Sequence, residues 1–234
     1  MISDKYLKYS FLNALLFVVF LWVMFLFQNV VLSDISGYAL YPRSLRGLWG
    51  FLFSPLLHAN AYHLFNNSTA AFFFLWVLFY FFPRDWHKVL LWSYFIPNFF
   101  VWLFARAGYH IGFSGVIFSL AFFEFFIGIF SKQRSLSAIS LIIVFLYGGL
   151  LWQVFPYKSD ISWESHLFGA LSGIVLALLL KGKYSKRGKV SEGSVSYSRG
   201  IYGFRGITHT EQPYYGSYGE SSTYNFKIKV KVKT

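Results

Sequence analysis

Six stretches of the chain are apolar along nearly their whole length, and the polar residues gather between them rather than alternating within them. They cover residues 11–32, 61–82, 89–105, 113–130, 136–155 and 165–180. A helix that crosses a hydrocarbon core of about 30 Å needs about 20 predominantly apolar residues. The pattern therefore predicts six spanning helices. The first stretch follows Lys5 and Lys8, as a signal peptide would, but it far exceeds the 7–15 residues of a signal h-region and no A-x-A string follows it, so it reads as a true first helix. Asn66, Asn67, Pro97, Asn98, Ser114 and Glu124 interrupt the apolar stretches. Lipid offers such groups no partners, so neighbouring helices or waters must satisfy them, which implies a packed all-α bundle.

Composition agrees and removes one class. Of 234 residues, 56% are hydrophobic, 24% aromatic and only 13% charged, about half the charged fraction of a water-soluble domain. Zero cysteines exclude disulfides, thiolate metal sites and a cysteine nucleophile. The formal net charge of +12 sits in blocks. With the N-terminus inside, the inside segments hold Lys5, Lys8, Arg84, Lys88, Lys132, Arg134, Lys181, Lys183, Lys186, Arg187 and Lys189, and the outside segments hold only Arg43, Arg46, Arg106 and Lys158. This asymmetry predicts a multi-pass protein of the cell membrane with both termini cytoplasmic. The long connection 33–60 then lies outside, and its Tyr38, Tyr41, Trp49, Phe51 and Phe53 suit a segment lying in the membrane interface. Residues 1–181 form the predicted membrane domain. From 182 to 234 the composition turns to Gly, Ser, Tyr and basic residues, with ten Lys and Arg against three Glu. That segment reads as a disordered cytoplasmic tail drawn to anionic lipid headgroups rather than to nucleic acid, with one short strand possible over 226–233.

Polar residues inside spanning helices are costly and mark function by default. The second, fourth and sixth helices all run from outside to inside, so residues near their starts share one depth. They are His63 and Asn67, Ser114, and His166. Ser114 stands between Gly112 and Gly115 at a helix start, where free backbone N–H groups and small neighbours let a substrate backbone approach. His166, Gly169 and Gly173 fall at i, i+3 and i+7, so the histidine shares a stripe with a G-x-x-x-G surface fit for close helix contact. Contact with the Ser114 helix would bring imidazole to hydroxyl. His63 and Asn67, at i and i+4, share one face and offer side-chain donors for an oxyanion.

Three motifs now stand in order on the second, fourth and sixth helices: His63-Leu64-Phe65-Asn66-Asn67, Gly112-Phe113-Ser114-Gly115, and His166-Leu167-Phe168-Gly169 with Gly173. In these the chain resembles the rhomboid intramembrane serine proteases, and the resemblance covers residues 11–181. It implies a six-helix rhomboid-like bundle and a serine–histidine pair with no acidic third member, Ser114 as nucleophile and His166 as general base. It also implies an oxyanion hole of His63, Asn67 and the Ser114 backbone N–H. His58 matches a further family position by its spacing to His63. Two departures are visible. Trp49-Gly50 stands where family members often have Trp-Arg in the first outside loop, and Phe118 replaces a tyrosine that stacks on the histidine ring.

The implied reaction is peptide-bond hydrolysis near the outer end of a transmembrane protein substrate, through an acyl-enzyme and with no metal or organic cofactor. The resemblance further implies lateral access beside the fifth helix, 136–155, with the connection 156–163 as a lid. Substrates should carry Gly, Pro or Ser that unwind their helix locally. The rival reading is a non-proteolytic rhomboid-like protein that binds and escorts membrane clients, and such relatives lose the serine or the histidine, both of which are kept here. A metal site of His58, His63 and His166 lacks acidic or thiolate support. Glu124 reads as a structural carboxylate about 15 Å deeper than Ser114. Trp163-Glu164 reads as shaping a helix start, and His87, His110 and His209 as surface residues.

Overall fold

The computed structural model describes residues 4–32, 34–156 and 162–191. Six long helices carry the architecture: α1 (Asp4–Val31), α3 (Ala61–Phe81), α4 (Trp86–Phe104), α5 (Ser114–Ser131), α6 (Arg134–Tyr147) and α7 (Trp163–Ser191), with a single-turn helix, α2 (Gly50–Phe53), in the first long connection. The chain belongs to an all-α membrane class. Among the described residues, four helices are long and apolar enough to cross a membrane by those criteria alone, over Lys5–Val31, Ala61–Phe81, Ser114–Ser131 and Trp163–Ser185. The helix α4 has 19 residues, long enough to rise about 28 Å, but Pro97 and several polar residues dilute it.

Three of the six apolar stretches depart from their sequence boundaries by more than three residues. The first helix begins at Asp4, because Lys5, Tyr6 and Lys8 are compatible with helix even though they are not apolar. The fifth does not run through as one α-helix: α6 stops at Tyr147, and Gly148–Val154 tightens into a 3-10 segment beginning at the Gly148-Gly149 pair. The sixth continues past Lys181 to Ser191, and Tyr184 is buried, so the compositional break at 182 falls inside a helix. Residues 192–234, including the strand expected over 226–233 and His209, lie outside the described residues, as does most of the expected lid.

The central helix is α5, packed against α3, α4 and α6. Its residues Val116, Ile117, Phe118, Leu120, Phe123 and Ile127 are buried. The outer helix α1 presents Ala14, Leu21 and Gln28 inward at seven-residue spacing, two turns apart, and exposes Leu12, Leu16, Val19, Val23 and Leu26 as a lipid-facing helix should. Small residues set the closest approaches. A Cβ on Gly169 would strike the Gly115 carbonyl and stand 2.9 Å from Phe118 Cβ, and one on Gly173 would strike the Ser119 carbonyl, so α7 lies directly on α5. On the other side, Gly128 faces Leu136 and Ser140, whose hydroxyl donates to the Phe125 carbonyl at 2.7 Å.

The first long connection is fastened to the bundle by backbone contacts. Leu40 and His110 pair across an antiparallel bridge, N–H to O at 3.2 and 2.9 Å. Arg43 donates to the Ala105 carbonyl at 2.8 Å, and Trp102 donates to the Ser44 carbonyl at 3.2 Å. A Cβ on Gly50 would overlap the backbone of Leu40. The arginine of the family's usual Trp-Arg pair therefore has no room at position 50, and close backbone packing anchors this loop instead.

Candidate active site

One cavity of about 1260 Å³ opens among the N-terminal ends of α3, α5 and α7 and the 3-10 segment. Its wall includes His63, Asn66, Asn67, Ser114, Gln153, Ser162 and His166. The chain thus brings to one space the serine, both histidines and the asparagine that the sequence places on three separate helices.

Each group is held by a local cause. Asn60 caps α3, its side chain accepting from the His63 N–H at 2.8 Å, which starts the helix so that His63 and Asn67 face the same side. The next wall is Gly112, with φ of 109°, a conformation that suits glycine. A Cβ there would lie 2.8 Å from His63 Cε1, 3.0 Å from its Nε2 and 3.5 Å from Asn67 Nδ2. The backbone just before Ser114 therefore passes directly against both side-chain donors, and the Gly112 N–H is fixed on the Ser54 carbonyl at 2.8 Å. The helix α5 begins at Ser114 itself, so the N–H groups of its first turn have no acceptor within the helix. Asn67 Nδ2 is buried and has no hydrogen-bond partner among the described residues, an unspent donor beside Gly112. A buried amide left unpaired costs about 1–3 kcal/mol, a cost that persists where the donor has a transient acceptor to serve.

On α7, His166 is 5% exposed and its ring lies flat on Phe118, centroids 4.2 Å apart and planes at 4°. Phe118 sits one turn after Ser114, so the stacking holds the imidazole against the helix that carries the hydroxyl. The ring's other constraint is His166 Nδ1, 3.0 Å from the Gln153 carbonyl. A carbonyl only accepts, so Nδ1 carries the proton and Nε2 keeps its lone pair. Gln153 is a position of the candidate site that the sequence does not single out. A glutamine near the end of an otherwise apolar stretch was the available signal, though its contribution comes from the backbone and depends on the 3-10 turn.

His58 lies behind the site rather than in it. Its backbone is clasped by the Gln28 side chain, which donates to the His58 carbonyl at 2.7 Å and accepts its N–H at 3.0 Å. The ring packs edge-on to His63, centroids 5.2 Å apart, and lies 3.5 Å from the Phe113 N–H. Burial, reinforced by the neighbouring His63, pushes its pKa down to about 4, so the ring is neutral near pH 7. Gly115 backs onto Ser165 of α7, where a Cβ would sit 3.3 Å from the Ser165 carbonyl.

Other expected residues fall elsewhere. Glu124 is buried below the site, with neither oxygen hydrogen-bonded among the described residues. His87 is exposed as expected, but it lies in the first turn of α4 rather than in a loop. His110 is not a surface residue: it is 5% exposed, because the bridge to Leu40 folds the connection before α5 inward. Glu164 lies in the first turn of α7, 3.2 Å from Arg106 Nε. Among the described residues no group of three or more His, Asp or Glu is arranged to hold a metal ion.

Comparison with known proteins matches residues 45–183 to the rhomboid domain. An uncharacterized protein of Mycobacterium bovis and one of Mycobacterium tuberculosis are each 32% identical over 185 residues, covering 74% of this chain and 76% of the relative. An uncharacterized protein of Mycobacterium leprae is 30% identical over 198 residues, covering 80% and 78%.

Proposed function

Since the chain belongs to the rhomboid family, whose members are generally intramembrane serine proteases, we propose that it is an intramembrane serine endopeptidase. It cleaves transmembrane proteins near their extracytoplasmic end, with both of its own termini in the cytoplasm of a cell whose plasma membrane holds it. The observation that carries this reading is the single cavity wall shared by Ser114, His166 and the unpaired Asn67 donor.

Ser114 Oγ attacks the scissile carbonyl carbon and gives its proton to His166 Nε2, the nitrogen left free by the bond from Nδ1 to Gln153. The carbonyl oxygen becomes an oxyanion that accepts from Asn67 Nδ2, the His63 ring N–H and the Ser114 backbone N–H. As the C–N bond breaks, His166 returns the proton to the leaving amine, leaving the acyl group on Ser114. Water then attacks that ester, again losing a proton to His166, and the new carboxyl terminus leaves with Ser114 restored. The Gln153 carbonyl supports the positive imidazolium in the part that an acidic residue plays in a triad. Substrate reaches the cavity laterally beside α6, where Phe145 is exposed and the exposed Trp152 and Phe155 line the cavity. Anionic lipid headgroups are the natural contact of the basic segment 182–234.

The test is purified protein in detergent or liposomes with a labelled single-span substrate containing Gly or Ser near its outer end. Wild type should cut it and Ser114→Ala should not. Equal processing by both, or by neither, removes the assignment. Labelling of Ser114 by a fluorophosphonate, lost in His166→Ala, provides an independent check of nucleophile and base.

A further inference from the structure

His110 lies outside the mechanism above, yet its imidazole is buried and bonded at both nitrogens. Nε2 is 3.2 Å from the Arg106 carbonyl, and Nδ1 is 2.5 Å from Ser162 Oγ. Ser162 Oγ is in turn 2.6 Å from Ser165 Oγ, and the Ser165 N–H donates to the Ser162 carbonyl at 3.1 Å. The direction of this chain is fixed by its end. The Arg106 carbonyl can only accept, so Nε2 carries the proton and Nδ1 accepts from the Ser162 hydroxyl, which accepts from the Ser165 hydroxyl. Burial lowers the His110 pKa, which favours the neutral ring this arrangement needs.

The two ends of the chain sit on segments that matter to the site. His110 is bridged to Leu40 on one side and leads through Gly112 to Ser114 on the other. Ser162 lines the cavity and immediately precedes α7, and Ser165 adjoins His166 while packing against Gly115. We infer that His110 is a positioning residue for the serine–histidine pair: through Ser162 and Ser165 it ties the first turn of α7, and with it His166, to the connection that presents Ser114. The inference rests on the proteolytic reading for its kinetic consequence, but the tie itself is a property of the fold. The hydroxyls of Ser162 and Ser165 are small groups whose loss leaves apolar packing intact, which makes them cleaner probes than the histidine.

The test compares Ser162→Ala, His110→Ala, His110→Asn and the Ser162→Ala/His110→Ala pair in the full chain. Kinetics are measured on the single-span substrate, and hydrogen exchange is followed by mass spectrometry over the start of α7. Ser162→Ala and His110→Ala should each lower kcat by about ten- to a hundredfold with KM within about twofold, as expected for misplacement of a reacting group. The double variant should lose little more than either single one, because both cut the same chain. His110→Asn, whose amide oxygen occupies the place of Nδ1, should recover most of kcat. Amides at the start of α7 should exchange faster in Ser162→Ala, His110→Ala and the pair, and as in wild type in His110→Asn. Additive losses, a change confined to KM, or exchange identical to wild type would overturn the positioning role. Wild type that cuts nothing, with Ser162→Ala still loosening α7, would instead overturn the proteolytic reading and leave the tie standing.

Discussion

The proposed chemistry depends on single atoms left without partners or given only one. Asn67 Nδ2 is such an atom, and because its only role in the proposed reaction is to meet an oxyanion, Asn67→Ala should lower kcat by about 10²–10³, or 2.7–4 kcal/mol, with little change in KM. Steady-state kinetics on the single-span substrate check this, and a loss carried by KM would assign Asn67 to binding instead. His58 makes a different demand. Its pKa falls from 6.5 to about 4 on folding, so below the unfolded value the unfolded chain binds a proton that the folded chain refuses. Stability should be full above about pH 6.5 and decline as pH falls towards 4, by up to about 3 kcal/mol. Thermal unfolding in detergent from pH 4.5 to 7.5 should show this slope, flattened in His58→Gln.

Between helices, close approach is set by residues without side chains. The contact of the Ser114 helix with the His166 helix has no room for a methyl group at Gly169, where the Gly115 carbonyl and Phe118 already occupy the space. Gly169→Val must push α7 away from α5. Overpacking of this kind costs about 1–3 kcal/mol, and here it also moves the imidazole away from the hydroxyl. Melting temperature and activity should therefore fall together, whereas the same change at Gly182, where no atom lies near the added Cβ, should leave both unaltered. The 3-10 segment 148–154 is the other decisive element. Had α6 continued as a regular helix to residue 155, the Gln153 carbonyl would point along the helix axis instead of meeting His166 Nδ1.

Over the whole molecule, the site at one end of the bundle is matched by a polar clasp at the other. Asp85, between α3 and α4, is 2% exposed and receives Lys183 Nζ at 2.5 Å and the Tyr184 hydroxyl at 2.6 Å, and Gln133 donates to the Tyr184 carbonyl. These contacts join two connections, α3–α4 and α5–α6, to the last turns of α7, beyond the point where the hydrophobic stretch ends. A chain ending after Ser191 should unfold at the temperature of the full protein. One ending after Lys181 should melt lower, because it removes the Lys183 and Tyr184 donors from a buried carboxylate, and Lys183→Ala should lose part of that difference, about 1–2 kcal/mol given that Lys183 is half-exposed. Glycosylation or protease-protection mapping should place Lys132, near this clasp, on the same side as both termini.

The apolar stretches, the polar residues within them and their spacing were enough to read from the sequence the helical class, the approximate spans and the four side chains of the candidate site. Those features follow from what lipid excludes and from which residues share a helix face, and both are local properties of the chain. Only the tertiary structure decided what depends on groups distant in sequence. The carbonyl of Gln153 that meets His166, the burial of His110, the lack of a partner for Asn67 Nδ2 among the described residues and the capture of Asp85 by Lys183 and Tyr184 each arise where separate helices or loops meet. Backbone carbonyls leave no mark in a sequence, and a polar side chain becomes paired or unpaired only when its neighbours arrive.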